Sequence, residues 1–132
     1  MEIENWYSQI KEYAMNLQDR RRVSKQMEMV SYTLNELSNK IDTWLDDRGI
    51  TKNGTPMGQA IKTLEETTEL LDAINHNDLE EVQDAIGDIY VTIRGVCKVM
   101  NLPFHRCVER AYNEIKDRRG EITSGGTFVK NE

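Results

Sequence analysis

Nine carboxylates stand between Thr63 and Ile93 (Glu65, Glu66, Glu69, Asp72, Asp78, Glu80, Glu81, Asp84 and Asp88), with no lysine or arginine among them. Like charges three and four residues apart destabilise a helix by a few tenths of a kcal/mol per pair, so this run calls for a cation from outside the segment. A metal ion or basic residues from elsewhere in the fold can supply it. Glu66 and Glu69 are three apart, Asp84 and Asp88 four apart, and each pair shares one helix face. Two such helices joined by a short loop bring four carboxylates together as hard oxygen ligands. Mg²⁺ is the ion that fits, because it binds through a few carboxylates together with waters and substrate phosphates. The bland alternative is two amphipathic helices with acidic exteriors. The missing bases count against it, as does Val91, an apolar residue on the Asp84 and Asp88 side.

The elements that must position these acids are legible from their punctuation. Asn53 to Pro56 reads NGTP, a turn with Thr55 as N-cap and Pro56 at the first helical position. Ala60, Leu64, Thr67, Leu71 and Ile74 then recur at helical spacing, with Glu65, Glu66, Glu69 and Asp72 opposite them, until Asn75, His76 and Asn77 stop the run. Asp78 followed by Glu81 starts a second helix like a capping box, and Val82, Ile86, Ile89 and Ile93 form its stripe. The two make an antiparallel hairpin. Asn101, Leu102 and Pro103 break the second helix near Met100, and a further helix is expected from about Pro103 to Arg119, ended by Gly120. Upstream, Met27, Val30, Leu34, Leu37, Ile41 and Leu45 mark a long helix reaching about Asp47. Residues 1–22 read as a helical extension with Trp6, Ile10 and Tyr13 on one face, and residues 120–132 as an extended tail. The expected architecture is all-α: one domain over 1–132 with a four-helix-bundle core.

Length and charge narrow the function classes. A chain of 132 residues can hold one core without staples. Its two cysteines, Cys97 and Cys107, lack the spacing of a zinc site and read as reduced thiols in a cytoplasmic protein. No apolar run approaches the ~18 residues of a membrane span, and the acidic, polar N-terminus does not resemble a signal peptide. A net charge of −6 argues against binding to a nucleic acid backbone. Basic residues do cluster in DRRRVSK (19–25) and EIKDRRG (114–120), leaving the acids in the middle of the chain.

EETTE at 65–69 followed by DAIGD at 84–88 resembles the EExxE and ExxD motifs of the MazG-like all-α nucleoside triphosphate pyrophosphohydrolases. WLDDRGI before the first motif and NEIKDRRGEITSGGTFVK near the end resemble small bacterial and phage-type members, so the similarity covers roughly residues 41–130. One position departs from the pattern. Where the second motif has Glu three residues before its Asp, this chain has Ala85, and the acid stands four residues before, at Asp84.

The resemblance implies hydrolysis of an NTP or dNTP to the monophosphate and pyrophosphate with Mg²⁺, or Mn²⁺ in its place. It makes Glu66, Glu69 and Asp88 metal ligands with Asp84 as the fourth, and gives Glu65 the orientation or deprotonation of the attacking water. The triphosphate needs cations as well, for which Lys116 and Arg119 are best placed, with Asn113 beside them on the same helix. Trp44 is a candidate to pack on the base, although a Trp on a helical stripe ordinarily lies in the core. His76 falls in an exposed turn. Family members pair about symmetric interfaces, so a homodimer or homotetramer is expected. Two competing assignments are an acidic helical interaction module without catalysis and a phosphoribosyl-ATP pyrophosphohydrolase, which the tail and the WLDDRGI lead-in fit less well.

Overall fold

The computed structural model describes Ser8, Gln9 and residues 32–132. The expected extension over 1–22, those two residues aside, and the Met27 and Val30 end of the upstream helix lie outside the described residues. The fold is all-α with one small sheet: α1 (Leu34–Asp47), α2 (Ile50–Asn53), α3 (Pro56–Asn75), α4 (Leu79–Met100), α5 (Phe104–Ile115), β1 (Gly120–Ile122) and β2 (Phe128–Lys130).

Side-chain caps set the helix starts. The Thr55 hydroxyl accepts from Gly58 N at 3.0 Å, and Pro56 occupies the first turn of α3. Asp78 Oδ1 accepts from Glu81 N at 3.2 Å at the start of α4. Each of these satisfies a donor that the helix leaves unpaired. Between α3 and α4 the backbone reverses through Asn77 at φ 53, and α4 ends on Asn101 at φ 54; both are left-handed positions that asparagine tolerates. Thr33 is extended at ψ 161 and its hydroxyl accepts from Glu36 N, which starts α1 at Leu34.

α3 and α4 form the antiparallel hairpin on which the rest is built. Thr63 Oγ1 donates to Thr92 Oγ1 at 2.9 Å, and a Cβ at Gly95 would run into the side chain of Gln59. Partners therefore rise in number along one helix as they fall along the other. Small residues line this seam: Ala73, Ala85, Thr92 and Gly95 are buried. α1 runs parallel to α4, because its three rungs to α4 share a sequence separation of 52: Ser38 Oγ with Tyr90 Oη at 2.6 Å, Asp42 with Arg94, and Asp46 with Lys98. The middle rung is bidentate, Arg94 Nε and Nη2 donating to Asp42 at 2.8 and 2.6 Å. Among the described residues Leu45 is the largest fully covered side chain, at 1% exposure, and its burial is worth roughly 1.5–3 kcal/mol.

The expected apolar stripe of α3 faces outward. Leu64 and Leu71 are 67% and 65% exposed, and Met57, Ile74 and, on α4, Ile86 are exposed with them. The face of α3 turned to α4 instead carries Gln59, Thr63, Glu66, Leu70 and Ala73, which recur at helical spacing beside the stripe. α5 ends at Ile115, a turn short of the expected Arg119, with Lys116 as its C-cap. The tail is a β-hairpin: Gly120 opposes Lys130 and Ile122 opposes Phe128. Gly120 starts a strand here, since any Cβ would collide with the Val129 backbone across the pair.

Candidate metal centre

Because Glu66 lies on the inward face of α3, it meets α4 where the antiparallel register places Asp88. One turn further along α3, Glu69 flanks the same seam. Glu66, Glu69 and Asp88 each offer a carboxylate oxygen, and the three oxygens lie within 4.8 Å of one another. Glu66 Oε2 is buried and has no hydrogen-bond partner among the described residues. A buried acceptor in that condition costs ~1–3 kcal/mol, and more when charged. Burial foremost, then the neighbouring Glu69 and Asp88 charges, push the Glu66 carboxyl above its ordinary value. Burial also leads the upward shift of Asp88, followed by the charges of Asp84 and Glu69. Three crowded carboxylates, one of them with a buried and partnerless oxygen, fit a hard divalent cation, which would satisfy the orphaned atom and offset the repulsion.

Asp84 stands beside Asp88 and repels it, but it is exposed and lies outside the three-oxygen cluster. Ala85, where the motif departs, is 3% exposed inside the α3–α4 seam. Glu65 points away from that seam and pairs with Lys62 at 2.8 Å. Lys62 answers part of the charge question from one residue outside the acidic run: Glu65 foremost, then Glu66 and Glu69, hold its ammonium above the ordinary value. It is the site residue that sequence reasoning missed. Its spacing of three and four from Glu65 and Glu66 was the available signal.

Trp44 is 44% exposed, with the Arg48 guanidinium 5.9 Å from its ring centre, so it is not a core residue. His76 is exposed in the α3–α4 turn, as expected, with Nδ1 2.8 Å from the Asp72 carbonyl. Asn113 lies on α5 along a shallow groove shared with Leu102, Pro103, Arg106 and Arg110, and no residue of the acidic cluster lines it. Lys116 caps α5, and Arg119 lies between that cap and β1.

The chain matches the MazG nucleotide pyrophosphohydrolase domain over residues 57–122, half of its length. The chain belongs to the MazG nucleotide pyrophosphohydrolase family. The matched span runs from α3 through β1 and so includes the cluster, Asn113, Lys116 and Arg119, while Trp44 falls outside it. Over 60 residues the chain is 35% identical to an uncharacterized 18.2 kDa protein in the rep-hol intergenic region of Haemophilus phage HP1 (strain HP1c1). That alignment covers 46% of this chain and 37% of the phage protein. No solved structure matches. Among the described residues, no helix is long and apolar enough to cross a membrane.

Proposed function

We propose that this MazG-family chain hydrolyses a nucleoside or deoxynucleoside triphosphate between its α and β phosphates, releasing the monophosphate and pyrophosphate. The observation that carries the reading is the orphaned, buried Glu66 Oε2 inside a cluster with Glu69 and Asp88. These three are the proposed ligands of Mg²⁺, with Mn²⁺ as a substitute, and Asp84 beside Asp88 is the fourth. Mg²⁺, when bound, supplies neutralisation of phosphate oxygens and a more acidic water.

The remaining work falls to the chain's own side chains. Glu65, outside the ligand cluster, is the proposed group that orients or deprotonates the attacking water, and Lys62 holds it in place through their ion pair. Lys62, one turn before Glu66, also offers a cation for phosphate oxygens. Lys116 and Arg119 supply further positive charge and Asn113 a hydrogen bond, the guanidinium fork matching two phosphate oxygens at once. The exposed ring of Trp44 offers a face for the base.

A second copy of the chain completes the particle. Met57, Leu64, Leu71, Ile74 and Ile86 are large apolar side chains left exposed on the α3–α4 hairpin, and exposed apolar surface of this kind marks interaction sites when it is contiguous. A homodimer or homotetramer in the cytoplasm is the proposed state, and light scattering at the monomer mass across a wide concentration range would exclude it. The activity is tested by incubating the full chain and Mg²⁺ with each common ribo- and deoxyribonucleoside triphosphate and scoring pyrophosphate. Release from at least one, abolished by chelation, is expected. No release from any of them with either Mg²⁺ or Mn²⁺ would leave the acidic interaction module as the better reading.

A further inference from the structure

The segment carrying Lys116 and Arg119 is rooted away from the acids it would serve. Phe104, the first residue of α5, packs edge-on against Tyr90 of α4 with ring centres 5.3 Å apart, and the Arg94 guanidinium lies 5.2 Å from the Phe104 ring centre. At about 100° per residue, Tyr90 and Arg94 stand roughly 160° and 120° around α4 from Asp88. α5 therefore starts on the face of α4 turned away from the Glu66, Glu69 and Asp88 cluster. It does not wrap back across the hairpin, since none of its residues is buried. Two unpartnered surfaces remain. On α5, Val108, Ala111, Tyr112 and Ile115 recur at helical spacing, all exposed, over about 10 Å. On α3, Met57, Ile61, Leu64 and Leu71 are exposed on the side opposite α4, over about 21 Å. Going round α3 from that stripe toward the cluster, the next side chains are Asp72, Glu65 and Glu69. The bases that follow α5, Lys116, Arg118 and Arg119, pair with no acid among the described residues. Apolar stripe and charge thus match between α5 with its basic end and the outer face of α3, which one chain keeps apart.

We propose that the site is shared between two copies of the chain: the apolar face of α5 of one protomer lies on the outer α3 stripe of its partner and carries Lys116 and Arg119 to the partner's acid cluster. A two-fold pairing makes the exchange mutual, so both sites are completed at once. Apolar contact supplies the association, and the bases beside the acidic edge of α3 set its register. The role given to the two cations, holding triphosphate oxygens, rests on the nucleotide reading above.

Two variants of the full chain separate the contributions. Glu66→Gln damages the cluster, and Lys116→Ala with Arg119→Ala removes the cations; each should lower pyrophosphate release about tenfold or more. Co-expressed under different tags and purified through both, they form a mixed dimer in which one shared site carries every change and the other carries none. That dimer should recover about half the wild-type rate. A site built within one chain predicts only half the rate of the cation variant. A mixed dimer no faster than that, a cation variant as fast as wild type, or a wild type that stays monomeric in light scattering overturns the proposal. Docking is also read without turnover, by a photoreactive side chain placed at position 112 in a mixture of heavy-isotope and light-isotope chains. Crosslinks to residues 57–71 should join heavy chains to light ones, and crosslinks confined to single chains, or none, overturn the proposal. Should those crosslinks form while wild type releases no pyrophosphate, the nucleotide reading fails and the docking of α5 on the partner's α3 stands.

Discussion

Glu66→Gln should make the metal-free protein more stable while removing its response to Mg²⁺. Two carboxylate oxygens at the outer limit of 4.8 Å that bounds the cluster repel by about 1 kcal/mol in a water-like medium and about 3.5 kcal/mol at the effective dielectric of a protein surface. Glu66 faces two such neighbours, but Glu69 is exposed and well screened, so neutralising Glu66 should gain about 2 kcal/mol. For a chain of this size that is roughly 6–8 °C in melting temperature. Wild type should in turn gain about 2.7 kcal/mol from Mg²⁺ at a hundred times its dissociation constant, and the variant little. Differential scanning fluorimetry with and without Mg²⁺, read beside pyrophosphate release, measures both effects. An unchanged metal-free melting temperature together with an undiminished Mg²⁺ shift in Glu66→Gln would refute the reasoning, because Glu66 would then be neither crowded nor a ligand.

The same pair of proteins has an expected pH signature. The folded-state carboxyl values of Glu66 and Asp88 are raised, mainly by burial, so their contribution to stability is complete below the ordinary carboxylate value and is lost as pH rises through the shifted one. The advantage of Glu66→Gln over wild type should therefore be largest near neutral pH and shrink as pH falls toward the ordinary glutamate range; an advantage constant with pH in thermal melts would contradict this. Asp84→Asn should lose activity to an extent comparable with Asp88→Asn while folding normally, and wild-type rates with an intact Mg²⁺ shift would reduce Asp84 to a solvated acid. Asp84→Ala with Ala85→Glu should recover only part of that activity and melt lower, because residue 85 is enclosed in the α3–α4 seam and overpacking there costs ~1–3 kcal/mol. Asp42→Ala should cost about 2–3 kcal/mol in chemical denaturation by stranding the mostly buried Arg94 charge, somewhat less than a fully buried pair because Asp42 is a quarter exposed.

Features of this fold fixed by neighbours in sequence were readable, and those fixed across the fold were not. Thr55 with Pro56, Asp78 with Glu81, and the breaks at Asn77 and Asn101 are local devices, and each appears where its residue types require it. The grouping of Glu66, Glu69 and Asp88 was also readable, since helix spacing and an antiparallel return bring them together. Which arc of α3 faces α4 was not. The apolar stripe through Leu64 and Leu71 suggested the inward side, whereas small and polar residues let the two helices approach and the stripe was left outside. The early end of α5 and the β-hairpin depend on strand pairing between Gly120 and Lys130, for which helix propensity gives no warning. Lys62 escaped notice because it stands three residues before the first of the acids it serves.

The central claim concerns which phosphoanhydride bond breaks and whether the acidic cluster breaks it. Wild type and Asp88→Asn should be given a γ-labelled triphosphate that serves as a substrate, with Mg²⁺, and the label followed by chromatography. The account predicts label in pyrophosphate from wild type, none in orthophosphate, loss of turnover on chelation, and loss in Asp88→Asn with folding intact. Label appearing as orthophosphate, or pyrophosphate released equally well by Asp88→Asn, would contradict it.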